Sequence, residues 1–138
     1  MAFLSSNHTY RESAKKITDL SFAIGVYRPP SEGGSASLLL RITENCPWNK
    51  CTFCEMYKGE TFVLRSVKDI KADIDTVKRI SDELAAVSIK MGHDGQITRE
   101  VGSVLLQAEP SLYDNYCFIT VFNWLASGGK TAFLQDAN

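Results

Sequence analysis

The sequence predicts an α/β chain: one parallel βαβ unit, the front end of a TIM-like (β/α) barrel that is truncated or lacks its remaining units. Three observations predict it. The run Ser37-Leu38-Leu39-Leu40-Arg41-Ile42-Thr43 is apolar with little alternation, which fits a strand covered on both faces, as in a parallel sheet. Apolar residues then recur at Val67, Ile70, Ile74, Val77, Ile80, Leu84 and Val87, the threes and fours of one stripe on an amphipathic helix. A second run, Lys130-Thr131-Ala132-Phe133-Leu134, reads as another buried strand, with Gln135-Asp136-Ala137-Asn138 as its polar edge. Two parallel strands alone leave a sheet without neighbours, hence the larger barrel.

The remaining elements follow in order. Residues 1–26 form an N-terminal arm or a short helix over 10–20, and residues 27–138 form the N-terminal portion of the barrel domain. Pro29-Pro30-Ser31-Glu32-Gly33-Gly34-Ser35 is loop chemistry, two prolines fixing the backbone and two glycines releasing it. Ser66 is the expected cap of the long helix, with Asp69 at the reciprocal position. Met91-Gly92-His93-Asp94-Gly95 ends that helix. A second helix spans 97–107, before Pro110, and a third runs from Ser111 or Leu112 to Ser127, where Gly128-Gly129 stops it.

Composition narrows the function classes. The 138 residues suit one domain, and 44% hydrophobic with 22% charged residues is ordinary for a globular chain. A net charge of -1, from 15 basic and 16 acidic side chains, gives no support to a nucleic-acid partner. The N-terminus lacks a basic region and a long apolar core, and the apolar stretch 117–126 is too short to span a bilayer. The expectation is a soluble, cytoplasmic protein with reduced thiols and no membrane partner. Three of the four cysteines lie within nine residues, which in a reducing compartment means metal or redox chemistry.

Cys46-Pro47-Trp48-Asn49-Lys50-Cys51-Thr52-Phe53-Cys54 puts three thiolates on one tight loop at the C-terminal end of the first strand. Three ligands on a four-iron cluster leave one iron open, and an open coordination position signals chemistry at the metal. The competing reading is a closed zinc site, with His93 or Cys117 as fourth ligand. Such a site would serve structure, and a closed cluster would serve electron transfer. No second CxxC pair is present to complete a zinc knot. Cys117 on the third helix reads as a small hydrophobe, and His93 in its glycine-flanked turn as a solvated loop residue. Arg41, on a buried strand, needs a partner for its charge.

The segment Asn45-Cys46-Pro47-Trp48-Asn49-Lys50-Cys51-Thr52-Phe53-Cys54, directly after a first strand, resembles the cluster loop of the radical S-adenosylmethionine superfamily. Arg28-Pro29-Pro30-Ser31-Glu32 and Tyr57-Lys58-Gly59 resemble one bacterial branch with a Cys-x4-Cys-x2-Cys loop. The resemblance covers about residues 27–138. It implies that Cys46, Cys51 and Cys54 hold a [4Fe–4S] cluster whose open iron binds S-adenosylmethionine through amino and carboxylate groups. Reduction by a donor such as flavodoxin or ferredoxin then cleaves the sulfonium to a 5′-deoxyadenosyl radical, which takes hydrogen from a substrate. It also implies that Phe53 covers the adenine side. The sequence departs from the family in having four residues, not three, between the first two cysteines. It also lacks Gly-Gly-Glu at the end of the second strand, where Asp136 stands in the right region to accept the ammonium's hydrogen bonds.

Overall fold

The computed structural model of the chain describes residues 2–24, 37–45 and 61–135. It has four α-helices and two small sheets among those residues.

Helix α1 (Ala2–Thr18) is the longer of the two N-terminal alternatives and begins well before residue 10. It is no detached arm: Ala14 and Ile17, three apart, are buried with Phe22 in the common core. Strand β1 (Leu38–Arg41) follows. Leu38 and Leu39 are both buried, and because neighbouring strand residues face opposite ways, both faces of β1 are covered there. Strand β4 (Ala132–Gln135) pairs with β1 in parallel, Leu38 opposite Ala132 and Arg41 opposite Gln135. At its start the hydroxyls of Ser37 and Thr131 lie 2.7 Å apart. The two strands and the helices between them make the expected parallel βαβ arrangement; the sheet has two strands and is not closed. In one respect β4 differs from expectation. Ala132 and Leu134 are exposed, Leu134 by 50%, and Phe133 is half-buried.

Helix α2 (Val67–Lys90) begins at Ser66, whose hydroxyl accepts the Asp69 backbone N–H at 3.1 Å. This is the expected cap, contributing about 1 kcal/mol. Of the apolar stripe, Val77, Ile80, Leu84 and Val87 are buried, whereas Val67 and Ile74 are 66% and 47% exposed. Length explains the split. A 24-residue helix runs about 36 Å and a four-residue strand about 13 Å, so the first turns of α2 extend past the sheet.

Helix α3 (Arg99–Ala108) starts two residues later than its sequence pattern suggests, after Thr98 in extended conformation. The expected third helix is divided. A 3-10 helix (Pro110–Asp114) comes first; Asn115 then leaves helical conformation and caps α4 (Tyr116–Ala126), its side chain accepting the Phe118 N–H at 3.0 Å. Past the end of α4, Gly128 and Gly129 take φ of 112° and 63°, and the Gly129 N–H closes on Trp124 O at 2.9 Å. The core is helical, built from Ile17, Ile80, Leu84, Val101, Leu105, Leu112, Phe118 and Val121, with Leu38 from the sheet.

Helices α3 and α4 meet at Gly102, where an added Cβ would stand 2.7 Å from the Phe122 ring. The Gly102→Ala substitution is expected to cost about 1–3 kcal/mol through overpacking, read as a lower urea midpoint. An unchanged midpoint would contradict this close packing.

Candidate functional site

Where β1 ends, the chain bends at Ile42 and enters a two-residue strand, β2 (Thr43–Glu44). Strand β3 (Val63–Leu64) pairs with it in antiparallel fashion, Thr43 opposite Leu64 and Glu44 opposite Val63. The Arg65 N–H extends the ladder by donating to Ile42 O at 3.1 Å. Asn45 then turns the chain with φ of 68°, a left-handed conformation that asparagine tolerates better than other side chains. Its amide Nδ2 donates to Thr61 O at 2.7 Å. The 15 residues 46–60 therefore leave and rejoin the fold at one place.

Cys46, Cys51, Phe53 and Cys54 fall within that segment and lie outside the described residues, as does Asp136. The described backbone nevertheless fixes where the chain enters them. Cys46 is bonded to Asn45 and Asp136 to Gln135, and Gln135 is the parallel partner of Arg41 on β1. Both strands thus leave the sheet at the same edge. A loop whose ends already meet has part of its closure entropy met before any ligand arrives.

The base of the loop is held by a residue that has no marked signature in the sequence, Arg65. Its Nη1 donates to Asp73 Oδ2 on α2 at 2.6 Å and to the carbonyl of Arg41, the last residue of β1, at 2.8 Å. Its Nε lies 4.0 Å from Glu44 Oε1 on β2. The Arg65 and Asp73 side chains are only 12% and 13% exposed, so this ion pair is shielded far more than a surface pair.

The two residues that could close a zinc site are committed elsewhere. His93 lies beyond the C-terminal end of α2, about 36 Å from Ser66 along a 24-residue helix, and its Nε2 meets Glu100 Oε2 at 3.0 Å. Rather than a freely solvated side chain it is half-buried and paired, at the opposite end of α2 from Ser66. The Cys117 thiol and Phe22 exchange two hydrogen bonds, the Phe22 N–H donating to Sγ at 3.4 Å and Sγ donating to Phe22 O at 3.3 Å. Burial pushes this thiol above its ordinary value; the Phe22 N–H works against the shift, and the negative Asp73 adds to it. Cys117 therefore stays protonated and bridges α4 to the chain after α1.

Among the described residues no three His, Cys, Asp or Glu side chains converge closely enough to hold a metal ion. None of the described helices is long and apolar enough to cross a membrane. A cleft of about 380 Å³ between α1 and α2 is lined by Lys16, Asp19, Leu20, Arg79, Asp82 and Glu83, whose opposite charges sit side by side. No protein-family model, curated protein or solved structure matches the chain.

The raised Cys117 value has a pH consequence. A thiol whose folded value exceeds its unfolded one contributes stability in full below the unfolded value, about 9, and loses it as pH rises through the folded value. The stability gap between the natural chain and Cys117→Ala is expected to narrow as pH is raised past that point. Urea midpoints compared from neutral to alkaline pH test this, and a gap that stays constant would contradict it.

Proposed function

We propose that this chain is the cluster-bearing part of a radical S-adenosylmethionine enzyme, with its parallel βαβ unit the start of a TIM-like (β/α) barrel. The observation that carries the reading is the closed base of segment 46–60. All three clustered cysteines occur in one stretch whose ends are hydrogen-bonded together at the C-terminal edge of β1. In parallel α/β folds that edge is where reactive groups gather. The exposed face of β4 at Ala132 and Leu134 is the kind of surface a further barrel layer would cover.

The residues suit the group. Three thiolates are soft donors of the kind that hold iron–sulfur clusters, and Cys46, Cys51 and Cys54 would hold a [4Fe–4S] centre with one iron left for S-adenosylmethionine. When bound and reduced, that centre supplies the electron that cleaves the sulfonium of S-adenosylmethionine. Phe53 would cover the adenine, and Asp136, following β4, would accept hydrogen bonds from the ammonium. The chain's own task is to orient these partners and to keep water away from them. A low-potential donor such as flavodoxin or ferredoxin, and a cytoplasmic setting where thiols stay reduced, belong to the same reading. The zinc alternative is disfavoured by the positions of its two candidate fourth ligands, His93 at the far end of α2 and Cys117 bonded to Phe22.

Anaerobic reconstitution with iron and sulfide tests the proposal. About four irons and four sulfides per chain are expected, with 5′-deoxyadenosine released on adding dithionite and S-adenosylmethionine. Cys46→Ala, Cys51→Ala and Cys54→Ala should each abolish iron retention, and Cys117→Ala should preserve it. Stoichiometric zinc without iron, or iron lost from Cys117→Ala, would overturn the reading.

A further inference from the structure

We propose that Arg65 is the positioning residue of the cysteine segment, one guanidinium that holds both ends of residues 46–60 together and fixes them against α2. This rests on the reading above only for what the segment holds; the clamp itself is made of described residues.

Strands β2 and β3 are two residues each, and Val63 and Leu64 on β3 are exposed. An antiparallel pair of that length, with Thr43 its one buried side chain, has little stability of its own. The Asn45 amide adds one hydrogen bond at the surface. Arg65 is different in kind. It directly follows β3, its backbone N–H continues the ladder to Ile42, and its side chain reaches Arg41 O at the end of β1. The same nitrogen is anchored by Asp73 in the second turn of α2, in a largely buried ion pair. A planar guanidinium can serve these directions at once, which a lysine ammonium on a flexible stem does less well. The entry strand, the exit strand and the helix after the loop thus share one fixed charge. If that charge is lost, β3 is free to separate from β2, and the two ends of segment 46–60 are no longer held together.

Removing Arg65 alone would leave Asp73 buried without a partner and could unfold the chain. The decisive variant is therefore the double substitution Arg65→Met with Asp73→Met, which replaces the pair by apolar groups and deletes the ties to Arg41 O and Glu44. Two readouts on the metal-free chain keep this test separate from the iron–sulfur reading. The first is amide exchange. The double variant should exchange the ladder amides of Glu44, Val63 and Arg65 about tenfold faster than the natural chain, with Ile80, Leu84 and Leu105 unchanged. The second is binding of arsenite, which requires thiolates that converge, and which should weaken about tenfold. Arg65→Lys should recover part of both effects. Unchanged exchange at the base would overturn the proposal. So would faster exchange with arsenite binding intact, or acceleration spread evenly through the core. Failure of iron uptake in the natural chain would remove the cluster reading and leave these two results to decide the clamp.

Discussion

The Arg65–Asp73 pair sits where three pieces of chain must agree: the end of β1, the short β2–β3 ladder and the first turns of α2. The helix core on the other side of the molecule is apolar and would hold without it. The edge at which β1 and β4 leave the sheet has no such core. There the side chains of Val63, Leu64 and Val67 face solvent, so order must come from directed polar contacts. A shielded guanidinium with a carboxylate on one side and a backbone carbonyl on the other supplies that direction. Such a pair is a poor source of net stability, because desolvating its charges offsets most of their attraction. Its value is geometric: it permits one arrangement of strand end and helix start and penalises the others.

That geometry bears on chemistry through the helix that follows. Helix α2 starts two residues after Arg65, with Ser66 capping it, so a helix N-terminus and its partial positive charge are presented at the strand edge. Thiolates are stabilised by such surroundings, and so is the net negative charge that a thiolate-ligated cluster carries. The cysteine that the fold buries meets the opposite conditions. Burial holds Cys117 as a thiol, the negative Asp73 adds to the effect, and the Phe22 N–H opposes it.

The parts of this fold visible in the sequence are those governed by local periodicity. The stripe from Val67 to Val87 and the Ser66 cap located α2, and the two apolar runs located β1 and β4 in parallel order. Helix α1 was only half visible, because its buried face mixes the small or polar Ser13 and Ala14 with Ile17 and so shows little apolar periodicity. The break at Asn115 did carry a signal, an asparagine before an apolar run, but the apolar residues on either side hid it. Nothing in the sequence marks β2 and β3, since two residues carry no period. Arg65 was equally invisible: its partners Arg41 and Asp73 stand 24 and 8 residues away, and only the folded chain brings them together. The three cysteines were legible for the opposite reason, because their meaning lies in spacing along the chain. Cys46, Cys51 and Cys54 lie outside the described residues.

The central claim is that the three-cysteine segment holds a cluster with one iron left for S-adenosylmethionine. Electron paramagnetic resonance of the reconstituted and reduced chain, recorded with and without S-adenosylmethionine, tests it most directly. An open iron predicts that the spectrum of the reduced cluster changes when S-adenosylmethionine is added, because a new ligand enters the coordination sphere. Identical spectra would mean a closed cluster and would contradict the account.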